Sequence, residues 1–235
     1  MAKHSISVFF PCYNEQDNIE ALVRKAWSVL NNLTDDFEII IINDGSSDNT
    51  KAIADKLSHD LNSVRAIHHT QNTGYGGALQ SGFKNASKEL VFYTDGDGQF
   101  DIAELKDILP LIDQCDIVSC YRTNRQDRLL RKINAWAWNR LVCFLFKLKI
   151  KDIDCAFKLY KRKIFDDIII LSTGALVDTE ILARAAAKGY TIKQTGVRHY
   201  PRTAGKSTGA NPLVIARAFK ELIKLRKKII SSGKD

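Results

Sequence analysis

Residues 89–101 read ELVFYTDGDGQFD, an unbroken apolar run that ends abruptly in Asp95, Gly96, Asp97, Gly98 and Gln99. A strand that is apolar throughout belongs in a sheet covered on both faces, because a half-solvated strand would alternate apolar with polar. Upstream, FEIIIIND at 37–44 repeats the pattern, and ISVFF at 6–10, VRAIHH at 64–69 and DIVSCY at 116–121 are further strand-like runs. Amphipathic helical patterns lie between them at 15–31, 47–59, 76–86 and 102–112. This alternation predicts an α/β fold, a Rossmann-like, mainly parallel sheet with helices on both faces. Ligands of such sheets lie beyond the carboxyl ends of the strands. The polar motifs fall there: PCYNE (11–15), NDGSSDNT (43–50), NTGYGG (72–77) and TDGDGQFD (94–101) follow the first four strands in turn.

Asp95 and Asp97 leave the fourth strand two residues apart, so their side chains point the same way, and a small residue between them lets a diphosphate approach the backbone. Such a pair, with Gln99, can hold Mg²⁺ or Mn²⁺, which would bridge carboxylate and phosphate oxygens. The same letters also spell an ordinary Gly/Asp turn. Asp44, at the end of the second strand, reads either as an acceptor for a nucleotide's base or ribose, or as an Asx-turn with Ser47 or Asp48 capping the next helix. Pro11, Tyr13, Asn14 and Glu15 are placed to line a base pocket, while Asn14 is also a helix-cap residue. NTGYGGAL fails the dinucleotide fingerprint, since Leu79 stands where a third Gly or Ala is needed and the segment follows the third strand rather than the first. Its glycines fit a tight strand-to-helix turn beside the nucleotide.

Bulk properties exclude several classes. At 235 residues and 45% hydrophobic content the chain suits one sizeable domain. Met1 to Ser5 leads straight into a strand, so no secretory leader is read, and a cytoplasmic protein is expected. Cys12, Cys115, Cys120, Cys143 and Cys155 lack zinc-site spacing and read as reduced packing residues. The apolar stretch LVCFLF at 141–146 is far short of the ~20 residues of a spanning helix.

Charge is unevenly placed. Residues 122–151 carry nine Lys/Arg against Asp127 alone, and 198–230 carry nine against Glu221 alone. These segments contribute +16 of a net +8, so the remainder is acidic at −8. An anionic partner on one side is expected. Backbone-dominated binding of nucleic acid would leave Asp95 and Asp97 unexplained, because carboxylates repel phosphate without a metal. No nucleic acid is therefore expected.

In order along the chain, PCYNE, NDGSSDNT, N-x-G-x-G-G-A, TDGDGQFD, DIDCAFKLYKR (152–162) and VRHYPRTAGKS (197–207) closely resemble glycosyltransferase family 2, in its dolichol-phosphate mannose synthase-like branch. The resemblance covers about residues 5 to 210. It implies a GT-A fold and a nucleotide-diphosphate sugar, UDP- or GDP-linked, as donor. Pro11, Tyr13, Asn14, Glu15, Ile42, Asp44, Asp95, Gly96 and Asp97 then form the nucleotide-sugar site, with Arg202 or Lys206 steadying the leaving phosphates. Asp95, Asp97 and Gln99 form the metal site. Arg122 is expected in the catalytic set, and with Arg125, Arg128 and Arg131 it is expected to bind the acceptor. The chain departs from the branch at Gly96 and Gly98, and in placing Lys206 inside the R-x-x-G-x-S loop.

The implied reaction inverts the anomeric carbon, so metal and cations belong on the diphosphate side. A hydroxyl acceptor needs a carboxylate base, for which Glu180 and Asp178 are candidates. A phosphate acceptor, dolichyl or undecaprenyl, needs none and suits planar guanidinium donors. Between residues 128 and 150, basic residues interleave with Leu129, Ile133, Trp136, Trp138 and Phe144, the composition of an interfacial helix; the alternative is a core or dimer face. The expected layout is a catalytic domain over 1–210 containing the 122–151 acceptor- and membrane-facing segment. A basic amphipathic helix follows over 211–235. Peripheral association with an anionic cytoplasmic membrane face follows, with a separate membrane-spanning partner left open.

Overall fold

The computed structural model describes residues 4–124, 129–201 and 221–229. Seven strands form one sheet: β1 (Ile6–Cys12), β2 (Phe37–Asn43), β3 (Val64–His68), β4 (Leu90–Thr94), β5 (Ile117–Thr123), β6 (Phe157–Lys161) and β7 (Ile192–Arg198). The helices are α1 (Ile19–Leu33), α2 (Thr50–Asp60), α3 (Tyr75–Asn85), α4 (Leu105–Ile108), α5 (Leu129–Phe146), α6 (Ile164–Asp167) and α7 (Val177–Ala187). Strand order is β3-β2-β1-β4-β6-β5-β7. All pairings are parallel except those of β6, which runs antiparallel to both β4 and β5.

The apolar runs behave as expected. Val8, Phe9 and Phe10 in β1, Ile39 to Ile42 in β2 and Leu90 to Tyr93 in β4 are all 0% exposed. Adjacent residues of a strand face opposite sides, so both faces of the sheet are covered. Each such side chain contributes about 1.5–3 kcal/mol by leaving water. Gly82 of α3 lies directly against the Phe9 ring, where any Cβ would clash, and this close approach seats α3 on β1.

Two helical expectations change. The 102–112 pattern is not one helix but a 3₁₀ turn (Ile102–Glu104), the single α-turn of α4, and a second 3₁₀ stretch (Leu109–Gln114). Pro110 causes the break, having no N–H to continue the α ladder. The pattern beginning at residue 15 becomes helical only at Ile19, because Asn14 takes φ 57° and residues 15–18 form a turn.

The insertion of β6 positions the site. Running antiparallel beside β4, it brings the 152–155 turn at its start to the carboxyl end of β4, in register with Thr94 opposite Phe157. Arg122 at the end of β5 and the first turn of α7 meet the same edge.

Candidate active site at the carboxyl ends of the strands

The first two motif loops are zipped together. The Glu15 amide donates to Thr50 Oγ1 at 2.9 Å, the Gln16 amide to Asp48 Oδ2 at 3.2 Å and the Asn14 amide to Ser46 Oγ at 3.0 Å. In return Asn14 Oδ1 accepts from the Ser47 amide at 2.9 Å, and Gln16 Oε1 accepts from the Asn49 amide at 3.0 Å. Asn14 thus binds the neighbouring loop instead of capping α1. The N-cap of α2 is Asn49 rather than Ser47 or Asp48, and Asp48, one residue earlier, accepts from the Thr50 amide at 2.9 Å. Tyr13 is left half exposed beside this zipper, whereas Pro11 and Glu15 are buried. Ile42 is enclosed in the core.

Asp44 is 3% exposed and its carboxylate gathers the third motif. Oδ1 accepts from the Thr73 amide at 2.8 Å and the Thr73 hydroxyl at 2.6 Å, and Oδ2 accepts from the Gly74 amide at 2.9 Å. His69 Nδ1 lies 2.6 Å from the same Oδ1. Gly74 has φ 86°, a backbone conformation that side chains resist, and it delivers the chain into α3. The next residue, Tyr75, donates its hydroxyl to Asp95 Oδ1 at 2.9 Å. Asp44 therefore shapes the loop that reaches the fourth motif.

Asp95 and Asp97 emerge together from β4, as the spacing predicts. Burial, and after it the charge of Asp97, push Asp95 up from 3.8 to about 7. Two carboxylates crowded in this way hold a proton or want a cation. Among the described residues no group of three His, Cys, Asp or Glu side chains converges on one point. The two-carboxylate set fits Mg²⁺ or Mn²⁺ completed by phosphate oxygens, and not a closed all-protein cage. The small residue between the pair also has a packing reason: a Cβ on Gly96 would lie 2.9 Å from Cys12 Sγ and 3.1 Å from the Pro11 carbonyl. Gly96 packs on β1, and the turn itself needs Gly98 at φ 73°. Gln99 joins loops: its amide N–H donates to Asp97 Oδ1 at 3.1 Å, its carbonyl accepts from the Tyr200 amide at 2.9 Å, and its side-chain NH₂ donates to the Tyr200 carbonyl at 3.2 Å.

On the far side of β4, Arg122 Nε and Nη2 donate to Asp152 Oδ2 and Oδ1, each at 2.7 Å. This bidentate pair orients the guanidinium, and no other described residue takes its remaining N–H groups. Asp154 reaches solvent although ringed by protein; the packing around it and then Asp178 and Asp152 push it up to about 6. The α7 carboxylates are already engaged. Asp178 accepts from Lys158 Nζ at 2.8 Å and from the Tyr93 hydroxyl. Glu180 is 0% exposed, taking the amides of Leu171 at 3.0 Å and Ser172 at 2.7 Å on Oε2 and Arg184 Nε at 2.8 Å on Oε1. Through Ser172 and Thr173 it also supports α3, because the Gly76 amide donates to the Thr173 carbonyl at 3.0 Å.

Arg125, Arg128, Arg202 and Lys206 lie outside the described residues, as does the side chain of Arg131. Tyr75, Asp154 and Lys158 were not singled out by the sequence reading. All three sit inside quoted motifs, and Lys158 carried only the weak further signal of a cation within a strand-like run. α5 divides into two faces: Val142 is buried and Trp138, Leu141 and Phe146 pack on the core, while Ile133, Trp136 and Phe144 are 50%, 66% and 80% exposed. Exposed Lys132, Arg140 and Lys147 flank them. In residues 221–229, Leu222 and Leu225 are buried, so this part of the terminal segment uses its apolar face in the core. No described helix is long and apolar enough to cross a membrane, and all five cysteines are free.

A sheet of this order, with its carboxylate pair where β4 opens beside the β6 insertion, is the GT-A arrangement of a glycosyltransferase. Two structures of glucosyl-3-phosphoglycerate synthase from Mycobacterium tuberculosis share it. The complex with Mn²⁺ and UDP-glucose superposes with a TM-score of 0.73 at 17% identity, covering 96% of this chain and 80% of that one. The complex with Mn²⁺, UDP and glucosyl-3-phosphoglycerate gives 0.67 at 18%, covering 97% and 78%. The chain belongs to glycosyl transferase family 2, whose sequence profile matches residues 7–169. Among curated proteins it is similar to undecaprenyl-phosphate 4-deoxy-4-formamido-L-arabinose transferase of Salmonella choleraesuis (strain SC-B67), 30% identical over 207 residues. That match covers 86% of this chain but 62% of the relative, so the chain spans less than two thirds of the relative's length.

Proposed function

We propose that this protein transfers a sugar, with inversion, from a nucleoside-diphosphate sugar to a polyprenyl phosphate at an anionic membrane surface. The observation that carries the acceptor reading is the state of α7: Asp178 and Glu180 are buried and already paired with protein groups, so neither is presented as a base, while Arg122 faces the same edge with N–H groups that no other described residue takes. A phosphate nucleophile is already anionic and wants such a donor. The named acceptor of the curated relative, undecaprenyl phosphate, agrees with this. Catalysis is assigned to residues 1–210, with α5 presenting Ile133, Trp136 and Phe144 to the membrane interface.

In this mechanism Asp95 and Asp97 hold the metal side of the site, and Tyr75 orients Asp95. Bound Mg²⁺ or Mn²⁺ would neutralise charge on the departing diphosphate. Tyr13, the zipped β1 and β2 loops and Asp44 enclose the nucleoside, and Arg122, held by Asp152, aligns the acceptor phosphate opposite the leaving group. On the sequence resemblance alone, Arg125, Arg128 and Arg131 are assigned to acceptor binding and Arg202 or Lys206 to the leaving phosphates.

The test is transfer from UDP- and GDP-linked sugars to undecaprenyl phosphate in anionic liposomes, with Mn²⁺ and with chelator. Metal-dependent transfer from one donor is expected; transfer only to soluble hydroxyl acceptors would overturn the acceptor assignment. That second reading has one observation behind it, the solvent-reaching carboxylate of Asp154. Asp154→Asn separates the two: a phosphate acceptor leaves turnover within about tenfold, whereas loss of a required base costs about 10²–10⁴-fold.

A pH dependence follows from Asp95. In the metal-free fold its pKa lies above the ordinary 3.8, so its ionisation lowers stability as pH rises from about 4 through about 7, and a bound cation reverses this. The proton must leave when metal binds. Calorimetric Mn²⁺ affinity should therefore weaken by up to about tenfold per pH unit below 7 and level off above it. A flat profile over that range would remove Asp95 from the metal site.

A further inference from the structure

Lys158 is the one lysine or arginine among the described residues that is fully buried, at 0% exposure near the start of β6. Its ammonium lies 2.8 Å from Asp178 Oδ1, donates to the Cys155 carbonyl and sits 3.3 Å from the Tyr93 hydroxyl. Tyr93 in turn donates to Asp178. Three elements meet at this one cation. Tyr93 lies in β4 two residues ahead of Asp95, Cys155 closes the turn that carries Asp152 and Asp154, and Asp178 stands in the first turn of α7.

Stability alone does not explain an ion pair at this place. Taking both charges out of water is so unfavourable that a well-packed apolar pair is commonly as stable or more so. An apolar pair would lack one property: it could not tie a strand hydroxyl and a turn carbonyl to the same point. The two groups tied here lead to opposite halves of the site, Asp95 and Asp97 on the β4 side and the Arg122–Asp152 pair on the other.

We propose that Lys158 is a positioning residue which, through Tyr93, Cys155 and Asp178, fixes the separation between the paired carboxylates at the end of β4 and the Arg122–Asp152 pair. In the reaction proposed above, on which this inference rests, that separation is the distance between leaving group and acceptor. A displacement of about 1 Å in such an alignment lowers turnover on the order of 100-fold.

The experiment is the double variant Lys158→Met/Asp178→Asn, which removes both charges while preserving most of the volume. Turnover should fall on the order of 100-fold, with donor KM within about threefold and Tm lowered by only a few degrees, because the desolvated pair adds little stability while the Cys155 carbonyl loses its donor. Turnover within threefold of the natural protein, or a loss that merely follows a fallen Tm, would overturn the proposal. Tyr93→Phe keeps the ring and the ion pair but cuts the link to β4. It should lower turnover about 5–10-fold with Tm down by no more than a few degrees, because the hydroxyl's bonds with both Asp178 and Lys158 are lost; unchanged turnover overturns the proposal even if the double variant does not fold. Metal-dependent hydrolysis of the sugar nucleotide by water reads the β4 half alone, so in the variants it should fall less than transfer does, and equal losses of the two would overturn the proposal. If the natural protein fails to glycosylate undecaprenyl phosphate, the acceptor assignment falls, and the same comparison made with whichever acceptor it does use decides the role of Lys158.

Discussion

Asp97→Ala should abolish sugar transfer, lowering turnover by at least about 10³-fold, with loss of Mn²⁺-dependent nucleotide binding and an intact fold. Asp97 is 9% exposed and stands beside Asp95, so its charge acts in a site with little water to screen it. The side chain has a structural duty too, accepting the Gln99 amide at 3.1 Å across the turn. Asp97→Asn separates the two duties, because an amide oxygen still accepts that bond while the charge is gone. The asparagine variant should lose activity as fully as alanine does. Without metal, Asp95 then ionises without a like charge beside it, so its titration should move down toward the ordinary carboxylate range. Calorimetry with UDP and GDP, each with Mn²⁺ and with chelator, reads the binding, and thermal unfolding reads the fold. Metal-dependent binding that survives Asp97→Asn would sink the two-carboxylate metal site.

The second large effect is expected at Asp44. Asp44→Ala strips the acceptor from the Thr73 amide, the Thr73 hydroxyl, the Gly74 amide and His69 in one step. Breaking a buried charged hub of this kind costs about 3–5 kcal/mol, a fall in Tm on the order of 10 °C for a chain of this size. The loss should also reach the metal side. Gly74 delivers the chain into α3, and Tyr75 at its start holds Asp95. Nucleotide-sugar affinity is therefore expected to drop at least tenfold even at temperatures where the variant is folded. Asp44→Asn keeps one acceptor oxygen and should fall between the two. If Asp44→Ala unfolds at the natural temperature, the hub has been misjudged. If it is destabilised but binds nucleotide normally, Asp44 is structural alone.

Much of this was legible in sequence because it depends on local chemistry. The runs EIIII and LVFY could only be strands buried on both faces, and that fixed the parallel sheet and sent its ligands to the strand ends. The two-residue spacing of Asp95 and Asp97 at a strand exit put both carboxylates on one side. The helix-cap alternative for Asn14 fails because its partner, Ser47, is distant in sequence and close only after β1 and β2 pair. The continuous helix expected over 102–112 failed locally, at Pro110, for want of one N–H.

What the sequence by itself determined was the α/β class, the line of motifs along one edge of a sheet, and the carboxylate pair, each following from side-chain periodicity and strand burial. Only the tertiary structure decided which carboxylates remain available. Glu180 and Asp178 look alike on the page as candidate bases, yet one is consumed by the backbone of a loop and the other by a lysine brought in on an antiparallel strand. The same insertion set Arg122 against Asp152 and left Asp154 facing solvent. The physical reason is that periodicity reports which way a side chain points, whereas a buried charge is defined by the partner it meets, and partners separated by tens of residues are chosen by strand order and register.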